Sequence, residues 1–194
     1  SNGTLTWSTA TTTVTGSVIK TGGTISGTSG TTNVSGNWSN TSGNVTFTTN
    51  VVTVTGTWTH SSGTYVTGTG TLTIGSNFSN SATMTNTSGT INVGGNWSNT
   101  STFTAGTGTV VMNSSVPGRT ISGTLTGTSG RFNNLTFNNA SGGWTFSTSA
   151  DVLLNFTITS GNVTAPSATL QVGGDWANSG TFNHNNGTVV MNAT

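Results

Sequence analysis

The stretch TINVGGNWSNTSTFTAGTGTVVMN, residues 90–113, returns near the end of the chain as TLQVGGDWANSGTFNHNNGTVVMN, residues 169–192. Each copy opens with apolar side chains two apart, Ile91 and Val93 or Leu170 and Val172. That alternation marks a strand with one buried face. The unit reads as one turn of a β-solenoid: a strand through Ile91, Val93 and Trp97, a polar corner, a second strand around Phe103, a Gly corner and a third strand. Weaker versions of it fill most of the remaining sequence, so the whole chain, residues 1–194, is expected to be a single repeat domain.

Taking the second residue of each apolar-x-apolar pair as an anchor gives Val14, Val34, Val54, Ile74, Val93, Met112, Leu135, Leu154, Val172 and Met191. The anchors are almost evenly spaced, with one longer step from Met112 to Leu135, which predicts an all-β parallel β-helix (β-solenoid) of about ten coils. Four residues past the anchors stand Val18, Trp38, Trp58, Phe78, Trp97, Val116, Ile158 and Trp176. In the late coils an aromatic stands earlier, at Phe137 and Phe156, where other coils have Gly or Ser. Such an exchange of volume between neighbours suits a close-packed interior. One core aromatic column is therefore expected through Trp38, Trp58, Phe78, Trp97, Phe137, Phe156 and Trp176, with Gly95 making room for Trp97. A second inward strand includes Ile25, Val45, Phe47, Tyr65, Met84, Phe103, Trp144 and Phe182.

Between the two strands a corner repeats Asn40, Asn80, Asn99 and Asn178, each six residues past its anchor, with His60 in the same row. Stacked Asn side chains can hydrogen-bond from coil to coil. The opposite corner carries Gly30, Gly70, Gly89, Gly108, Gly130 and Gly187, expected to serve tight turns at positive φ. The step from Met112 to Leu135 is irregular and contains Pro117, Arg119 and Arg131; it reads as a coil with a bulging loop. GTVVMN at 108–113 recurs at 187–192, a step that the spacing counts as four coils.

Composition narrows the function classes. Five residues carry formal charge (Lys20, Arg119, Arg131, Asp151 and Asp175), for a net charge of +1. That leaves no electrostatic footprint for nucleic acid or an anionic membrane. No apolar run approaches the ~20 residues needed to span a bilayer as a helix. There is no Cys, hence no disulfide and no thiolate metal site. A charge-poor, Thr/Asn-rich β-repeat of this kind suggests secretion, to an extracellular or cell-surface location.

VGGNW (residues 93–97), VGGDW (residues 172–176) and FNNLTFNN (residues 132–139) together give a repeat grammar that resembles bacterial secreted β-solenoid proteins of the filamentous-haemagglutinin adhesin type. The resemblance implies a right-handed parallel β-helix, secretion and a role at the cell surface.

The chemistry-bearing residues give no catalytic, cofactor or metal site. Asp175 shares a column with Asn37, Asn77 and Asn96 and reads as an outward Asn substitute, while Asp151 precedes a strand. Acid–base catalysis needs two such groups in one cleft. His60 and His184 lie many coils apart and cannot share a metal. Trp38, Trp58, Trp97 and Trp176 are expected in the core in preference to sugar-stacking platforms. An ice-binding face would need unbroken outward Thr columns, and the one past the anchors (Thr15, Ser35, Thr55, Gly75, Gly94, Asn113) is broken.

The reading that remains is a non-enzymatic structural protein, a subunit or segment of a surface fibre. The alternative is an adhesin domain that binds glycans or cells through exposed loops. The sequence stops three residues past Met191 and begins with a corner-and-strand fragment, SNGTLTW. Its ends, at Leu5, Trp7, Val189 and Met191, are therefore expected to be complementary partial coils, joined head to tail between copies or within a longer chain.

Overall fold

Thr, Val and aromatic side chains favour the pleated backbone, and Asn and Gly favour turns, so a sequence alternating them breaks into short strands. The computed structural model describes residues 3–7 and 9–192, and its regular elements there are all strands, from Thr4–Trp7 to Thr188–Met191. Strands pair in parallel with the strand one coil before and one coil after, as in Val34 with Val54 and Val54 with Ile74. The result is a three-faced β-solenoid of about nine turns, close to the ten expected.

The first face stacks Val14, Val34, Val54, Ile74, Val93, Met112, Phe137 and Ile158. The second stacks Val18, Trp38, Trp58, Phe78, Trp97, Ile121 and Phe146. The third stacks Leu5, Ile25, Val45, Tyr65, Met84 and Phe103, then resumes with Phe132, Val152, Val172 and Met191. Away from the two end coils these side chains are buried and form one continuous core.

The two copies of the repeat do not occupy equivalent places. In the first, Thr90–Val93 lies on the first face and Trp97 on the second. In the second, Thr169–Val172 lies on the third face and Trp176 on the first. The later copy is thus displaced by one face, a third of a turn. Its origin is the irregular coil. The contour from Met112 to its partner Phe137 is longer than the contour from Val93 to its partner Met112. Two loops, residues 115–118 and 124–130, take up the extra length on either side of the regular strand Arg119–Gly123.

This slip corrects several expectations. The anchors Leu135 and Leu154 are replaced by Phe132 and Val152, which continue into Val172; Leu154 is exposed. The second-face row continues through Ile121, while Val116 is exposed on a loop. The step from Met112 to Met191 spans three and two-thirds turns and not four, since Met112 is on the first face and Met191 on the third.

The aromatic column is two columns. Trp38, Trp58, Phe78 and Trp97 stack on the second face; Phe137 sits on Met112, and Phe156 on Leu135, on the first face. Phe156 and Trp176 are direct partners, ring centroids 4.5 Å apart, so no exchange of volume takes place between rows. Trp176, in the last coil, has a coil on one side only and is half-buried. A Cβ added at Gly95 would meet Asn77 and the Ser76 backbone of the coil before, not Trp97. Of the corner glycines, only Gly30 has a positive φ, 96°. Gly70, Gly89 and Gly187 are needed because a carbonyl of the preceding coil lies where a Cβ would stand.

Candidate functional site: a buried corner, two open ends and a polar cleft

Each second-face strand ends at a corner where the backbone turns and its carbonyls lose their ladder partners, a cost unless a donor reaches them. The sequence supplies one donor per coil: Lys20, Asn40, His60, Asn80 and Asn99 stand in register, all buried. Asn80 Nδ2 donates to Asn99 Oδ1 (2.7 Å), to Ala82 O and to Thr102 O of the next coil. Asn99 Nδ2 donates to Ser101 O and Thr124 O. Lys20 Nζ reaches Gly22 O, Gly23 O and Ser42 O, and its burial lowers the amine's pKa. His60 accepts from Asn40 Nδ2 at Nδ1 (2.9 Å) and donates from Nε2 to Thr83 O (3.0 Å), the pattern of a neutral ring. Burial holds its pKa below the ordinary value, opposed by the Thr83 and Gly63 carbonyls and reinforced by the Lys20 charge. Asn178 is not part of this ladder; it pairs with Ile158 on the first face and is exposed. The ladder holds coils together, with Asn40 Oδ1 left buried and unpaired within it.

The two aspartates stand apart in role. The Asp175 amide donates to Asn155 Oδ1 at the corner before the first face, the same kind of bond that the Asn96 amide makes to Asn77 Oδ1 before the second. After the slip, therefore, Asp175 does not share a column with Asn37, Asn77 and Asn96. Asp151 Oδ2 accepts from the Gly127 amide at 2.8 Å, tying down the irregular loop. Trp38, Trp58 and Trp97 are fully buried, which places their rings out of reach of a sugar.

At the N-terminal end Leu5 and Ile19 are 54% and 72% exposed around a hollow of about 620 Å³ that Trp7, Val14 and Ile25 also line. Trp7 itself is buried, stacked on Phe47 and edge-on to Trp38. At the other end Met191 is 52% exposed and Val189 half-buried. Strands Thr4–Trp7 and Thr188–Met191 lie on the same, third face.

The third face carries one further feature. Arg131 precedes Phe132, the partner of Val152, so Arg131, Asp151, Gln171 and Val190 follow one another up the outside of the third face. Beside them is a cleft of about 170 Å³, walled by Arg131, Asp151 and Gln171, with Leu153, Gly173 and Asn192 completing it. Leu153 and Leu154 are exposed at a corner that the next coil builds from Gly173 and Gly174. Sequence reading misses this site because Val152-Leu153-Leu154 offers two frames of apolar-x-apolar, one of which points Leu154 inward; two Leu in a Gly-Gly corner are the available signal. Compared with protein-family models, curated proteins and solved structures, the chain matches none of them.

Proposed function

We propose that the chain is a non-enzymatic structural rod, a β-solenoid subunit or segment of an extracellular fibre or cell-surface stalk that assembles end to end through its end coils. The observation that carries this reading is the exposure of core-row side chains at the two end coils, Leu5 at one and Met191 at the other, beside strands with an unpaired edge. Open parallel edges and apolar ends favour continued pairing. The charge-poor hydroxyl and amide surface supports an extracellular setting, as does the adhesin-type repeat grammar.

Electron microscopy of the native material tests the reading. Unbranched rods with a ~4.8 Å axial spacing are expected. Isolated particles about nine coils long, with other folded structure packed over both ends, would contradict it.

A further inference from the structure

We propose that the cleft on the third face is a glycan-binding site that takes one neutral pyranose ring. On a surface built almost wholly of hydroxyls and small amides, this is where planar, multiply hydrogen-bonding side chains converge. Arg131, Asp151, Gln171 and Asn192 come from four successive coils and face one depression of about 170 Å³, a volume suited to a single sugar ring. Planar guanidinium, carboxylate and amide groups bind adjacent hydroxyls two at a time. Their capacity is open: among the described residues no side-chain hydrogen bond or ion pair engages Arg131, Gln171 or Asn192, and Asp151 uses one oxygen on the Gly127 amide. Leu153 supplies the apolar surface that the C–H face of a sugar requires, at a corner where Gly serves the coil above. The single positive and single negative charge balance, which favours a neutral ligand over a phosphate or an acidic peptide. The site rests on the register that stacks Arg131, Asp151 and Gln171 in one column; it does not depend on how the rod is extended.

The test is a titration of the ¹⁵N-labelled protein with methyl glycosides of glucose, galactose, mannose and N-acetylglucosamine, and separately with sodium phosphate. At least one glycoside should shift the amides of residues 131, 151–154, 171–173 and 192, with the weak, roughly millimolar affinity of a ligand of so few atoms. Gln171→Ala and Leu153→Gly should each weaken binding at least tenfold, with the remaining amide spectrum unchanged as the check on folding. Asp151→Asn, which keeps an acceptor for the Gly127 amide, should weaken it without disturbing the loop. The proposal is overturned if no glycoside shifts these amides, if the shifts survive both substitutions, or if phosphate alone binds.

Discussion

The side chains that hold this solenoid are mostly buried donors aimed at carbonyls of the next coil. Asn80 is the clearest case, with Nδ2 shared among Ala82 O, Thr102 O and Asn99 Oδ1. Removing it leaves those acceptors buried and unpaired, so Asn80→Ala should cost about 1–3 kcal/mol in urea unfolding. Asn178→Ala, at an exposed position outside the ladder, should cost far less. His60 adds a pH dependence whose sign follows from its lowered pKa. Above its ordinary value of 6.5 the ring is neutral in both folded and unfolded chains, and stability is complete. Below 6.5 the unfolded chain takes up the proton first, so stability falls as pH drops toward the folded-state pKa. His60→Asn copies the neighbouring coils and should flatten that part of the profile; an identical slope in the variant would show that the ring does not titrate in this way. Gly95 makes a third case. Gly95→Phe should cost about 1–3 kcal/mol because it strikes the Ser76 backbone, and Trp97→Ile should not rescue it. A double variant more stable than additivity by over ~0.5 kcal/mol would restore the expected packing of Gly95 against Trp97.

At the scale of elements, regular coils were legible and the irregular one was not. Strands such as Thr90–Val93 and Thr109–Met112 announce themselves by period-two alternation, and the corner at Asn80 and Asn99 by its fixed distance from them. The slip is invisible in spacing. Corrected anchors run Met112, Phe132, Val152, Val172, in equal steps, as in an undisturbed repeat. What changes is how far around the axis those residues travel, because loops 115–118 and 124–130 consume length without advancing a face. A residue count measures contour, not angle. The Arg131 cleft was hidden for another reason. Counted from Leu135, Leu154 and Val172 as anchors, Arg131, Asp151 and Gln171 fall at different distances, and only the true anchors Phe132, Val152 and Val172 put them in one column. These loops also set protease sensitivity. Trypsin should cut first after Arg131, at the end of loop 124–130, then after Arg119, which lies in a strand paired on both sides. Lys20 is 5% exposed with its amine on three carbonyls and should be cut last; early cleavage there would mean that the first coils open readily.

For the molecule as a whole, the stack on the third face runs through ten strand levels, from Thr4–Trp7 to Thr188–Met191. At ~4.8 Å per level, each such segment should add about 48 Å to a rod. The one-face slip sets the second copy of the repeat a third of a turn around the axis from the first. The displacement of the second repeat copy rests on the registration across the irregular coil, and paired cysteines on the outer surface test it directly. Val111 faces Thr136 across adjacent coils on the first face, both half-exposed. Neighbouring strands stand ~4.8 Å apart, within the ~4.4–6.8 Å Cα separation a disulfide accepts. Val111→Cys with Thr136→Cys should therefore cross-link under mild oxidation, read as an intramolecular disulfide by mass spectrometry. Val111→Cys with Arg131→Cys, the partner that an undisturbed repeat would dictate, should stay reduced. Cross-linking of the second pair and not the first would contradict the slip, and with it the one-face displacement of the second repeat copy.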